Sequence, residues 1–296
     1  MPEIDLHTHS TASDGTLSPA QLVATAQAMG LQALALTDHD TVQGLPEACA
    51  AGRKHGLEVI GGCELSVSYA DKSMHILGLW VPQSPPILSE ALQHLHTLRA
   101  ERNKTIIHNL QTCGVPITYE ELEKEAQGAT IGRPHIAKLL VDKNRATNIQ
   151  DAFTNWLVPG TKGFAPKKKF SARKAIELLK SVQATVILAH PCSLKTEGKA
   201  LEAVVRELKS FGLDGVEVYY SMHSQAQTMA YAELCRKLDL LQSAGSDFHG
   251  SNKPHIALGR GKGGLRSSYM LVEKMKEHRD AQGLEFPECS YHGIKV

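Results

Sequence analysis

Short apolar runs alternate with helix-patterned segments along this chain, and nearly every run ends in histidine or a carboxylate. "EIDLHTH" reads as a strand. Ser18-Pro19 then opens a helix to Met29, with serine as N-cap and proline at the first helical position. "LQALALT" is a second strand, residues near 42–55 a helix stopped by Gly56, and "LEVIGGCE" and "MHILGLWV" are two further strands. Later in the chain Ser171 caps a helix, followed by "ATVILAH", a helix over 199–211, "DGVEVYY", a helix over 224–239, and "LLQSAGSDFH". Strands alternating with helices specify parallel βαβ units, and about seven of them suit a barrel better than a small open sheet.

Between the two halves the rhythm stops. Residues 87–113 read as one long helix ending at Gly114, Thr118 with Glu121 makes a capping box, and helices follow over 133–142 and 148–157 with no strand among them. The expected organisation is a barrel over 1–83 and 166–296 with an all-helical insertion over 84–165, joined by the loop "VPGTKGFAPKKKF".

Charge is divided along the same lines. Residues 1–97 carry 3 Lys+Arg against 10 Asp+Glu, whereas residues 98–180 carry 15 against 8. An acidic, histidine-bearing segment suits cation ligation, and a basic middle suits an anionic substrate. No run of 18 apolar residues is present, and the N-terminus is unlike a signal peptide. Six widely spaced cysteines without Cys-x-x-Cys argue against a zinc ribbon or a disulfide framework, so a cytoplasmic protein with no membrane partner is expected.

With 15 histidines in 296 residues, a His-x-His is expected about once by chance, and there are two: His7/His9 and His94/His96. Residues i and i+2 share a face on a strand but diverge by about 200° on a helix. The first pair can therefore converge on one cation, while the second reads as surface or packing histidines. His7 and His9 also have company at other strand ends: Asp14 just after them, Asp38, His39 and Asp40 in "TDHD", Glu64, His190, and Asp247 with His249. In α/β barrels those ends form the active-site face. His75, near the start of its run, is the exception.

The motifs "DLHTHSTASDG", "ALTDHDT", "GCELS", "HILGL", "LAHP" and "GSDFHG", in this order, resemble the PHP (polymerase and histidinol phosphatase) family of metal-dependent phosphoesterases. The resemblance implies an α/β fold, a distorted (β/α)7 barrel holding up to three divalent metals. Its ligands would be His7, His9, Asp14, His39, Glu64, His75, His190, Asp247 and His249, with Asp14, Asp247 and His249 also acting in catalysis. Cys192 stands where relatives commonly have glycine. In the insertion, "LRAERN" (Arg99, Arg102, Asn103) and "GRPHIAKLLV" (Arg133, His135) resemble substrate-side motifs of the branch containing 3′,5′-nucleoside bisphosphate phosphatases and short-RNA 5′→3′ exonucleases.

Six imidazoles and three carboxylates suit manganese, iron or zinc rather than magnesium or calcium, and manganese is the expected metal. Three divalent ions against three carboxylates and a bridging hydroxide leave a cationic pocket, which favours a phosphate ester over a neutral amide. The expected mechanism is attack by a metal-bridged hydroxide, with the arginines gripping a second phosphate. His223 is a candidate general acid, and Glu217 reads as structural. The first expectation for the reaction is removal of the 3′-phosphate of 3′,5′-bisphosphonucleotides, giving a nucleoside 5′-monophosphate. The alternatives are a 5′→3′ exoribonuclease on short RNAs, a histidinol-phosphate phosphatase, a polymerase-associated nuclease and a degenerate PHP scaffold. Aromatic content of 5% offers no stacking platform for long single strands, and no obligate protein partner is expected.

Overall fold

A computed structural model describes residues 3–70, 72–126, 131–166 and 168–287. Along the chain run β1 (Ile4–Thr8), α1 (Pro19–Ala28), β2 (Ala33–Leu36), α2 (Leu45–His55), β3 (Glu58–Tyr69) and β4 (Lys72–Leu79). Four helices follow: α3 (Pro86–Thr112), α4 (Tyr119–Ala126), α5 (Arg133–Asp142) and α6 (Ile149–Ala152), the last continued by a π-helical turn over Phe153–Leu157. Then come β5 (Phe170–Ser171), α7 (Ala172–Ser181), β6 (Thr185–Leu188), α8 (Gly198–Phe211), β7 (Gly215–Tyr220), α9 (Gln225–Leu238), β8 (Leu241–Gly245) and α10 (Met270–Ala281). The chain divides into two compact units, Met1–Ser89 with Phe170–Val296, and Glu90–Lys169.

In the first unit the strand order is β1-β2-β3-β4-β6-β7-β8, with the two-residue β5 added beside β3. Beyond the strand ends the sheet closes on itself. The Asp247 amide donates to the His7 carbonyl and the His9 amide to the Phe248 carbonyl, both at 2.9 Å, and Thr8 bridges Phe248 in parallel. This is the distorted seven-stranded α/β barrel expected, with one correction. The pattern predicts parallel strands throughout, but β4 runs antiparallel to both β3 and β6. Its link from β3 is too short for the crossover of a dozen or more residues that a parallel pair needs. A reversed strand starts where its neighbours end, so His75 reaches the same rim as the other polar residues.

The barrel interior follows the strand period of two. Ile4 and Leu6 of β1, Ala33 and Ala35 of β2, Ile60 of β3 and Leu77 of β4 are all fully buried in one cluster. Complete burial of each larger aliphatic contributes roughly 1.5–3 kcal/mol. Helix entries are set by their caps. The Ser18 hydroxyl accepts from the Gln21 amide at 3.2 Å while the Gln21 side chain accepts from the Ser18 amide at 2.9 Å.

The second unit has its own core of Ile106, Leu110, Ile117, Leu122, Ile136 and Leu140, all fully buried. Thr118 and Glu121 form the predicted capping box, with bonds of 2.9 and 3.2 Å. The cysteine expectation needs a correction at one position. Cys63, Cys113, Cys192 and Cys235 are free, but Cys49 is disulfide-bonded. Among the described residues no helix is long and apolar enough to cross a membrane.

Candidate metal centre

All nine residues expected as ligands belong to the barrel unit, and they gather at one rim. Three groupings place side-chain donor atoms within 4.8 Å of one another: His9, Asp14, His39 and His249; His7, His9, Glu64 and Asp247; and His39, Glu64 and His75. His190 falls outside these groupings but touches Glu64, a member of two of them, with Nε2 3.0 Å from Glu64 Oε1. His9 and His39 each appear twice. A neutral imidazole has a single lone pair, so each can serve only one ion. The shorter approaches are His9 Nε2 to Glu64 Oε2 at 3.2 Å and His39 Nδ1 to Glu64 Oε2 at 3.1 Å, against 3.9 Å from either ring to Asp14.

Glu64 is the hub. Its fully buried carboxylate meets five imidazoles: His75 Nδ1 and His190 Nε2 at Oε1 (2.8 and 3.0 Å), and His7 Nε2, His9 Nε2 and His39 Nδ1 at Oε2 (3.1, 3.2 and 3.1 Å). Yet Glu64 Oε2, His7 Nε2, both His9 nitrogens and His39 Nδ1 are buried without any hydrogen-bond partner. Close donor atoms that do not bond one another are aimed at shared points between them. Ligands about 2.1 Å from one cation stand roughly 3.0–3.4 Å apart in octahedral or tetrahedral arrangement, which is the spacing seen here. Buried groups left unpaired would each cost about 1–3 kcal/mol, so cations at these points satisfy what the protein alone does not. The residues fit divalent metals.

The electrostatics agree. Burial opposes ionisation of Glu64, but the charges of His39, His7 and His75 outweigh it and hold its carboxyl far below the ordinary range. Burial likewise opposes Asp247 and Asp14; contact with His9 and His7 lowers the first, and His249 with His39 the second. The imidazoles split. Burial depresses His9, yet contacts with Asp247 and Glu64 carry it up to about 9. Burial outweighs the charge of Glu64 and, aided by that of His9, pushes His39 down to about 3.

A layer of carboxylates behind the rim aims these ligands. Glu217 accepts from His7 Nδ1 at 2.9 Å and from the His190 amide at 2.7 Å, which turns His7 Nε2 towards Glu64. Asp38 accepts from the Ser10 amide and the hydroxyls of Ser10 and Ser13 (2.8, 2.6 and 2.5 Å), shaping the loop that carries Asp14. Asp5 accepts from the Ser246 amide and hydroxyl and the Gly259 amide (2.9, 2.5 and 2.7 Å), fixing the residue before Asp247. His190 and Asp247 have positive φ (26° and 59°), a conformation disfavoured for residues with a Cβ and typical of functional sites. Gly245 is needed for space, because a Cβ there would stand 2.2 Å from the Cβ of His7.

Of the sequence candidates outside the barrel rim, His94 is exposed on α3, as the helix geometry predicts. His223 does not suit a general acid. Its Nδ1 donates to the Val218 carbonyl at 2.9 Å, and its Nε2 is buried without a partner among the rings of Tyr220 and Tyr231. In the helical unit, Arg102 donates from Nε to the Ala165 carbonyl at 2.9 Å and Arg133 from Nη1 to that of Leu157 at 3.3 Å. Burial, then the charges of Arg133 and Arg99, lower Arg102 to about 10. Asn103 donates to the Ile131 carbonyl at 3.2 Å, and His135 caps its own helix, accepting from the Gly132 amide at 3.1 Å.

The sequence pattern described as PHP domain matches residues 5–157. A 5′-3′ exoribonuclease of Haemophilus influenzae is 36% identical over 83% of this chain and 89% of its own length. A 3′,5′-nucleoside bisphosphate phosphatase of Chromobacterium violaceum is 31% identical over 84% of this chain and 88% of its own. In three dimensions the chain is similar to a Bifidobacterium adolescentis protein assigned as a metal-dependent phosphoesterase, with TM-score 0.75 and 30% identity over 92% of this chain and 95% of that one. With a rim of clustered metal donors on a near-closed barrel and relatives that share most of its length, the chain belongs to the PHP-domain family of metal-dependent phosphoesterases.

Proposed function

We propose that the protein is a 5′→3′ exoribonuclease of short RNAs, with a 3′,5′-bisphosphonucleotide phosphatase activity as the second reading. Sequence motifs rank the bisphosphate reaction first; the higher identity to an exoribonuclease, 36% against 31%, reverses the order. The two reactions share one bond change. Water adds to the phosphorus on the 3′ side of a nucleoside that carries a 5′-phosphate, and the P–O3′ bond breaks with a proton passing to O3′. A nucleoside 5′-monophosphate leaves, together with a 5′-phosphorylated shorter RNA or, from the bisphosphate, inorganic phosphate.

The observation that carries this reading is Arg102, lowered to about 10 by burial and then by the positive charges of Arg133 and Arg99. Among the described residues Arg102 and Arg133 have no carboxylate partner: both donate to carbonyls, and Arg133 also lies 5.7 Å over the Phe153 ring. Gathering like charges is unfavourable unless an anion is taken up, and guanidinium groups pair with phosphate oxygens two bonds at a time. These arginines would hold the 5′-phosphate. At the barrel rim Glu64, Asp14, Asp247 and the six histidines would hold up to three divalent ions, manganese foremost. When bound, such ions acidify water towards neutrality and neutralise charge developing on phosphoryl oxygens. The protein's part is orientation: Glu217 keeps His7 turned to the centre, and Asp38 and Asp5 fix the loops bearing Asp14 and Asp247.

Arg133→Ala should lower kcat/KM on a 5′-phosphorylated triribonucleotide on the order of 10²-fold, as for loss of one partner from a desolvated charge pair. Hydrolysis of p-nitrophenyl phosphate, which has no second phosphate, should change less than about threefold. Steady-state kinetics on both substrates test this, and equal losses would remove the second phosphate site.

A further inference from the structure

Asp247 divides its two oxygens between different duties. Oδ1 faces the imidazoles, at 3.3 Å from His9 Nε2, 3.4 Å from His249 Nδ1 and 3.7 Å from His7 Nε2. Oδ2 turns away and accepts from the Tyr220 hydroxyl at 3.0 Å and from Lys253 Nζ at 2.6 Å. The tyrosine alone would satisfy Oδ2, so the lysine is not required to pair a buried oxygen. The two charges are also unequally placed: the Asp247 side chain is 8% exposed, that of Lys253 41%. The ammonium thus borders the candidate metal centre through the carboxylate of Asp247 and stays partly open to solvent.

The loop that carries Lys253 is held in place. The Lys253 amide donates to the Gly250 carbonyl at 3.2 Å, and its carbonyl accepts from the Ile256 amide at 2.9 Å. The Ser251 amide donates to the Thr16 hydroxyl at 3.0 Å and the Asn252 side chain to the Asp14 carbonyl at 2.8 Å, tying this loop to the one that bears Asp14. A long, flexible side chain gains from such fixing only if its head group has a fixed target. An ammonium has three N–H bonds, and Asp247 Oδ2 uses one. Among the described residues the other two have no acceptor, and the side chain is partly open to solvent.

We propose that Lys253 is a catalytic residue that grips a non-bridging oxygen of the scissile phosphate ester while pinning Asp247 as a one-oxygen donor to the centre. It adds a positive charge supplied by the protein at the point where the transferred phosphoryl group gains negative charge. It also supplies selectivity, since a tetrahedral anion rewards an ammonium where a neutral carbonyl does not. The inference rests on the phosphoesterase reading of the same rim.

The test compares wild type, Lys253→Met and Lys253→Arg, using inorganic phosphate and p-nitrophenyl phosphate as probes. Metal-free Lys253→Met should take up Mn²⁺ in calorimetry with wild-type stoichiometry. Its manganese-loaded form should bind inorganic phosphate at least about tenfold more weakly, and its kcat/KM on p-nitrophenyl phosphate should fall roughly 10–100-fold, as for one lost charge-assisted hydrogen bond. Lys253→Arg, which keeps charge and donors, should recover most of both. Phosphate affinity within twofold of wild type in Lys253→Met would overturn the proposal. So would loss of Mn²⁺ stoichiometry in both variants, which would reduce the lysine to a support for Asp247. If wild type hydrolyses no phosphate ester with Mn²⁺, Fe²⁺ or Zn²⁺, the phosphoesterase reading fails instead, and the phosphate affinities still judge the lysine.

Discussion

Replacing Glu64 by alanine is expected to abolish phosphate-ester hydrolysis, with kcat/KM on p-nitrophenyl phosphate down on the order of 10³-fold or more. Lewis-acid stabilisation by a bound ion is worth several kcal/mol, and each 1.4 kcal/mol or so is tenfold in rate. Glu64 has the largest expected effect because five imidazoles point at its two oxygens, so its loss disturbs two of the three groupings together. Elemental analysis of the purified variant should show less than half the wild-type metal content. Circular dichroism should show the barrel still folded, since the apolar cluster of Ile4, Leu6, Ile60 and Leu77 does not depend on the rim. A folded Glu64→Ala protein with wild-type metal content and activity would refute the central place given to this carboxylate.

The second large effect is on stability. His7 Nε2, His9 Nε2, His39 Nδ1 and Glu64 Oε2 are buried and unpaired, and cations held by these groupings would relieve them. Binding to the folded state alone stabilises by about 4 kcal/mol per site when free metal is a thousandfold above its dissociation constant. A barrel of this size shifts by roughly 2–4 °C per kcal/mol, so saturating Mn²⁺ should raise Tm by about 10 °C over the chelator-treated protein. Differential scanning calorimetry checks this, with Glu64→Ala as control, in which most of the shift should vanish. An unchanged Tm with Mn²⁺, Fe²⁺ and Zn²⁺ would mean that the orphaned atoms are met in some other way.

Much of the architecture was legible because it rests on local signals. The period of two in "EIDLHTH" put His7 and His9 on one side, and Ser18-Pro19 and Thr118 with Glu121 marked helix starts by chemistry that acts within four residues. Strand direction is not a local property: the pattern predicts a parallel β4 with His75 at the wrong end, whereas the reversed strand brings His75 to the rim. The same limit hid the layer behind the ligands. Glu217 bonds His7 from 210 positions away and Asp5 bonds Ser246 across 241, and neither distance leaves a motif. A buried acid after a run of apolar residues, as in "GVEVYY", was the available signal. His223 shows the converse: its sequence context suggested an acid, but burial and a bond to the Val218 carbonyl leave its other nitrogen sealed. Lys253 carries no sequence signal, since a lysine in a polar loop is ordinary and only its contact with Asp247 distinguishes it.

The most direct measurement follows the products of a 5′-phosphorylated pentaribonucleotide, incubated with the chelator-treated protein and with the same protein resupplied with Mn²⁺. A metal-dependent nuclease working from the 5′ end releases nucleoside 5′-monophosphates one at a time, leaves each shortened RNA with a 5′-phosphate, and does neither without metal. Hydrolysis that persists in the chelated protein, or no cleavage of any phosphate ester once metal is restored, would contradict a metal centre built around Glu64.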